Sequence, residues 1–93
     1  PMQLNELEAI IRDRQQNPKP ESYTNRLFDK GVNKIAQKVG EEATEVIVAA
    51  LGQGKTEQIA ELSDLFYHTL VLMVERGITL EDVYAELERR HSR

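Results

Sequence analysis

The chain has 93 residues, 40% of them apolar and 30% charged, which bounds it to one domain with one small core that needs either good packing or a partner subunit. Sixteen acidic against twelve basic residues give a net charge of -4, which argues against a surface built to coat DNA or RNA. There is no cysteine, so disulfide frameworks and thiol chemistry are excluded, and no apolar run approaches the roughly 20 residues that span a bilayer. The opening Pro1-Met2-Gln3 lacks the basic-then-apolar layout of a signal peptide, and the expected location is the cytoplasm.

Leu4, Leu7, Ile10 and Ile11 recur at helical spacing and stop before Asn17-Pro18-Lys19-Pro20, so the first helix is followed by a stiff, extended linker. Ser22, Tyr23 and Thr24 supply capping hydroxyls, and a short helical turn begins at Leu27-Phe28 and ends at Gly31. A second long segment runs from Val32 to Leu51 and closes on Gly52-Gln53-Gly54; a third runs from Thr56 to Arg76 and stops at Gly77. Thr79, followed at the third position by Asp82, predicts a capping box that opens a last helix reaching Arg90. No segment alternates apolar and polar residues over strand length. The reading is an all-α single domain over residues 1–93, a helical bundle resembling a four-helix bundle, built on a long helix hairpin and completed by dimerisation.

Two acidic pairs stand out within that hairpin. Glu42 with Glu45, and Glu61 with Asp64, are each three apart, so each pair shares one helix face. Four carboxylates converging from two helices make an oxygen-rich cage suited to Mg²⁺ or Mn²⁺. On the second long segment Ile35, Val39, Ala43, Val46, Ile47 and Ala50 form the expected core stripe. With Ile35 at zero, Glu42 falls at about 340° and borders it, Glu45 at about 280°, and Glu41 at about 240° turns toward water. Lys38 lies on the side of the acids. In the third segment the residues from Leu62 to Val74 leave almost no polar side, which predicts a helix surrounded by protein, central or at a subunit interface. Glu61, Asp64 and His68 share a sector of roughly 60° there. Uncompensated burial of carboxylates is costly, and a shared cation satisfies all four.

Plainer readings compete with these. Acidic residues favour the first turns of helices, so Glu61 and Asp64 are also explained by a solvated or salt-bridged face. For His68, a bond to backbone or to a neighbouring side chain is favoured over metal ligation, since an all-oxygen site needs no imidazole. Arg26, Lys30, Lys34 and Lys38 form a basic stripe of which only Lys38, beside the acids, stands out. Glu86, Glu88, Arg89, Arg90 and Arg93 read as a solvated helix end.

The run Lys38-Val39-Gly40-Glu41-Glu42-Ala43-Thr44-Glu45, followed by Glu61-Leu62-Ser63-Asp64, resembles the EExxE…ExxD signature of the all-α nucleoside triphosphate pyrophosphohydrolases, the superfamily that includes MazG and dimeric dUTPases. More narrowly, Ser22-Tyr23-Thr24 with Leu27-Phe28 and Gly31, then Ile35 to Glu42, and Asp64-Leu65-Phe66-Tyr67-His68, is similar to the phosphoribosyl-ATP pyrophosphohydrolases over nearly the whole chain. The resemblance implies Mg²⁺-dependent hydrolysis of phosphoribosyl-ATP to phosphoribosyl-AMP and pyrophosphate, the second step of histidine biosynthesis, by a homodimer in its stand-alone form. It implies a catalytic set of Glu41, Glu42, Glu45, Glu61 and Asp64, the last four as metal ligands, with Lys38, Ser22, Tyr23 and Thr24 contacting substrate. Glu41 or one of the ligand carboxylates is left as the general base. Two other readings stay open: a housecleaning pyrophosphatase acting on canonical or damaged nucleotides, and a helical interaction module whose acids are only solvated.

Overall fold

A computed structural model describes residues 1–92, and among them every regular element is an α-helix. The helices are α1 (Leu4–Gln16), α2 (Tyr23–Lys30), α3 (Val32–Gly52), α4 (Lys55–Glu75) and α5 (Leu80–His91). Two residues, Gln53 and Gly54, separate α3 from α4, so these 21-residue helices fold back as an antiparallel hairpin and pack on each other more extensively than any other pair. α1 and α2 lie against the hairpin, closing the bundle on that side. None of the helices is long and apolar enough to cross a membrane.

Local chemistry explains most boundaries. α1 opens where the Gln3 amide donates to the Glu6 carboxylate at 3.2 Å, and it ends where the Asn17 backbone and side chain both turn back onto Asp13. α4 closes through Gly77 at φ 71°, with the Ile78 amide donating to the Met73 carbonyl at 2.8 Å, the long-reach bond of a Schellman ending. The capping box expected at α5 is present: the Asp82 amide donates to the Thr79 hydroxyl at 3.1 Å, and the Thr79 amide to the Asp82 carboxylate at 2.9 Å. A second acid, Glu8 of α1, is buried and accepts from the Leu80 amide at 2.9 Å, tying the start of α5 to the far end of the chain.

The segment before Gly31 is more than a short turn. It is an eight-residue helix that starts at Tyr23, four residues earlier than the Leu27 start expected, with Ser22 as its cap. Asn25 supplies the reason. Its buried side chain accepts from the Lys19 amide at 2.8 Å and donates to the Arg14 carbonyl at 2.6 Å, strapping the proline linker and the end of α1 to the first turn of α2. Gly31 then joins α2 to α3 through one residue at φ 90° and ψ 177°, a conformation that a Cβ disfavours.

The core gathers Ile11, Leu27, Ile35, Leu70, Val71, Val74 and Leu80, drawn from all five helices. On α3 the buried line runs through Ile35, Glu42 and Ala49, rotated toward the acids from the stripe read in the sequence. Val39, Ala43 and Val46 are half-buried, whereas Ile47 (58% exposed) and Ala50 face outward, correcting their assignment to the core. The loop end of the hairpin is bare of cover: Leu51 is 84% exposed, and Ile59, Leu62 and Phe66 on α4 are exposed too. α4 is therefore enclosed along its C-terminal half and uncovered along its N-terminal half. Periodicity marks apolar faces without saying whether the same chain covers them.

Candidate active site

The acids meet where α3 and α4 face each other. Glu42, Glu45 and Glu61 each place a carboxylate oxygen so that all three lie within 4.8 Å of one another. Glu42 is 5% exposed, in line with Ile35 two turns earlier, so it reaches the cluster from the buried face of α3. Glu45 follows three residues on, and Glu61 comes across from α4. Burial first, and then the negative charges of Glu45, Asp64 and Glu42, push the Glu61 carboxyl above its ordinary value. Asp64 thus acts on the cluster electrostatically, but it is exposed and lies outside the group of three.

Lys38 borders this cluster. Its Nζ is 3.3 Å from Glu42 and 3.4 Å from Glu41. Burial works to lower the Lys38 ammonium, yet its bond to Glu42, the nearby Tyr23 hydroxyl and Glu41 carry it above its ordinary value, so it stays charged. Glu41 points to solvent. The Gln37 amide, which donates to it at 2.7 Å, and then Lys38 hold its carboxyl below its ordinary value, keeping it ionised beside the cluster. Lys38 therefore faces an excess of anions. Such a mismatch, with all-oxygen donors on two rigid helices, fits a hard divalent cation.

The Ser22-Tyr23-Thr24 segment reaches the hairpin from α2. Ser22 accepts from the Asn25 amide as helix cap, and buried Thr24 bonds the Tyr67 hydroxyl. Tyr23 remains 42% exposed, with its hydroxyl 3.0 Å from His68 Nε2 and the Arg26 guanidinium 5.6 Å from its ring centre. His68 is buried, and its Nδ1 lies 2.7 Å from the Asp64 carbonyl, so the backbone and side-chain bonds expected of it are both made. Tyr67 completes the group, edge-on to His68 with ring centres 5.0 Å apart; burial lifts its phenol above the ordinary value, with the Thr24 bond acting the other way. The sequence reading gave no role to Asn25 or Tyr67. Asn25 stands three residues after Ser22, the spacing of a cap and its partner, but its bonds to Lys19 and Arg14 carry no local signal.

The class these features define is an all-helical bundle with a carboxylate centre between two antiparallel helices and a lysine at its edge. Residues 4–91 match the model of the family described as phosphoribosyl-ATP pyrophosphohydrolase. Among curated relatives, the phosphoribosyl-ATP pyrophosphatase of Clostridium novyi is 52% identical over 90 residues, covering 97% of this chain and 82% of that protein. The phosphoribosyl-ATP pyrophosphatase of Pyrobaculum islandicum is 54% identical over 87 residues, covering 94% and 93%. The histidine biosynthesis bifunctional protein HisIE of Caldanaerobacter subterraneus is 54% identical over 90 residues, but the chain spans only 44% of its length. The chain belongs to the phosphoribosyl-ATP pyrophosphohydrolase family, a family of hydrolases.

Proposed function

We propose that the chain hydrolyses phosphoribosyl-ATP to phosphoribosyl-AMP and pyrophosphate, the second step of histidine biosynthesis, in the cytoplasm and with Mg²⁺ or Mn²⁺ as cofactor. The observation that carries this reading is the convergence of Glu42, Glu45 and Glu61 within 4.8 Å beside Lys38, in a chain of this family. Glu42, Glu45 and Glu61, with Asp64 at the margin, are the residues to hold the cation. Bound there, the cation supplies positive charge that lets water approach a triphosphate that otherwise repels it. Lys38 keeps its charge next to Glu42 and is placed to meet phosphate oxygens. Glu41, ionised and open to solvent, is placed to accept the proton of the attacking water.

The test is pyrophosphate release from phosphoribosyl-ATP with and without Mg²⁺, with ATP and dUTP in parallel. Release from phosphoribosyl-ATP that depends on Mg²⁺ is expected, and Asp64→Asn is expected to slow it by about 10-fold or more while keeping helical circular dichroism. Release from ATP or dUTP instead would point to a housecleaning pyrophosphatase, and no release from any substrate to an interaction module.

We also propose that a second copy of the chain covers the bare end of the hairpin. Ile47, Leu51, Ile59, Leu62 and Phe66 are all exposed, and an apolar hollow lined by Leu4, Phe66, Leu70, Met73, Leu80 and Val83 adjoins them. Sedimentation at micromolar concentration is expected to give twice the chain mass of 10.7 kDa; a monomer there contradicts the dimer.

A further inference from the structure

Tyr23 and His68 form a directional hydrogen bond, and the direction follows from the atoms around it. A backbone carbonyl can only accept, so His68 Nδ1, 2.7 Å from the Asp64 carbonyl, carries a proton. In the neutral imidazole Nε2 is then a bare lone pair. To that neutral ring the Tyr23 hydroxyl, 3.0 Å from Nε2, is the donor. A phenol has one proton. Once that proton is committed to His68, the Tyr23 oxygen has only lone pairs left for a ligand.

We infer that Tyr23 recognises a hydrogen-bond donor of the nucleotide, a sugar hydroxyl or the base amino group, and not a phosphate oxygen, with His68 as the positioning residue that enforces this. The inference rests on the proposed nucleotide site and adds a division of labour within it. A phosphate oxygen is an acceptor, and two acceptors facing each other repel. Phosphates are left to the cations: Lys38 at the edge of the carboxylates, and Arg26, whose guanidinium lies 5.6 Å from the Tyr23 ring centre. The nucleoside end of the ligand falls to Tyr23.

The surroundings hold the pair in this arrangement. His68 is buried and packed edge-on against both tyrosines, with ring centres 5.9 Å from Tyr23 and 5.0 Å from Tyr67. Tyr67 in turn bonds Thr24, next to Tyr23, so the first turn of α2 is pinned to α4 at two adjacent residues. His68 itself has no open face for a ligand. Its effect on binding passes through Tyr23.

Three variants and two ligands test this. Tyr23→Phe removes the acceptor; His68→Asn keeps an N–H for the Asp64 carbonyl but loses the partner of Tyr23; His68→Gln places an amide oxygen near the position of Nε2. Tyr23→Phe and His68→Asn are each expected to raise KM for phosphoribosyl-ATP about 3- to 10-fold, more than they lower kcat, with the double variant no worse than either and His68→Gln partly restored. Binding of phosphoribosyl-AMP to Tyr23→Phe should weaken by a similar factor, whereas binding of pyrophosphate should not change. Equal weakening of pyrophosphate, or an unchanged KM in His68→Asn, overturns the inference. Nitrogen NMR of the wild-type imidazole gives an answer independent of turnover: Nδ1 protonated and Nε2 bare is expected, and a proton on Nε2, alone or together with one on Nδ1, overturns it. If the wild type releases no pyrophosphate from phosphoribosyl-ATP, the proposed function fails, while the NMR result still decides the direction of the bond.

Discussion

Replacing Glu61 by Gln is expected to raise the melting temperature of the metal-free protein at neutral pH and to slow pyrophosphate release by on the order of 100-fold or more. Glu61 is the acid that α4 brings against Glu42 and Glu45, within 4.8 Å of both. Its carboxyl is pushed up by burial and then by the charges of Glu45, Asp64 and Glu42, which means that the fold disfavours its ionised form. The sign follows. A group whose folded value is raised favours the fold at pH below its ordinary value, and that contribution is lost as pH rises through the folded value. At neutral pH the repulsion remains uncompensated in the absence of a cation. Glutamine keeps the shape and removes the charge, so the metal-free fold is relieved while the proposed cation loses a ligand.

Thermal melts in EDTA and in millimolar Mg²⁺ separate the two effects. Wild type is expected to gain stability from Mg²⁺ and Glu61→Gln to gain much less. If the variant melts no higher than wild type in EDTA, and both respond equally to Mg²⁺, the three acids do not hold a cation. Active-site residues that oppose folding are a familiar trade of stability for function.

Ile35→Ala is expected to destabilise the chain by about 3–4 kcal/mol, read as a fall in the urea midpoint with little change in slope. Ile35 is fully buried, at 0% exposure, in the cluster with Ile11, Leu27 and Val71. Truncation leaves a cavity between the packed helices. Against a total stability of about 5–15 kcal/mol this is a large share. The same truncation at Ile47 removes a side chain that stands in solvent within one chain, and its expected cost is below about 0.5 kcal/mol unless a second copy covers it. A large cost at Ile47 that grows with protein concentration would place it in the dimer interface.

The helix boundaries at Gly31, Gly52 to Gly54 and Gly77, and the Thr79–Asp82 capping box, were legible because each depends on backbone conformation and hydrogen bonds within a few residues. The pairing of Glu42 with Glu45 was legible for the same reason, since i,i+3 spacing alone puts them on one face, and the hairpin needed only a tight glycine-containing loop between two long apolar segments. Three things required the assembled chain. The start of α2 at Tyr23 depends on Asn25 reaching back to Lys19 and Arg14. The buried direction of α3 passes through Glu42 and Ala49 and leaves Ile47 and Ala50 outside, because several apolar arcs fit the same periodicity and only packing against α4 selects one. The bond between Tyr23 and His68 joins residues 45 apart in the chain. The sequence by itself determined most helix boundaries, the start of α2 excepted, through local backbone chemistry, and which acids share a face. Tertiary structure alone decided which of those faces meet and which hydroxyl a buried imidazole commits, because both depend on contacts between residues that no spacing rule connects.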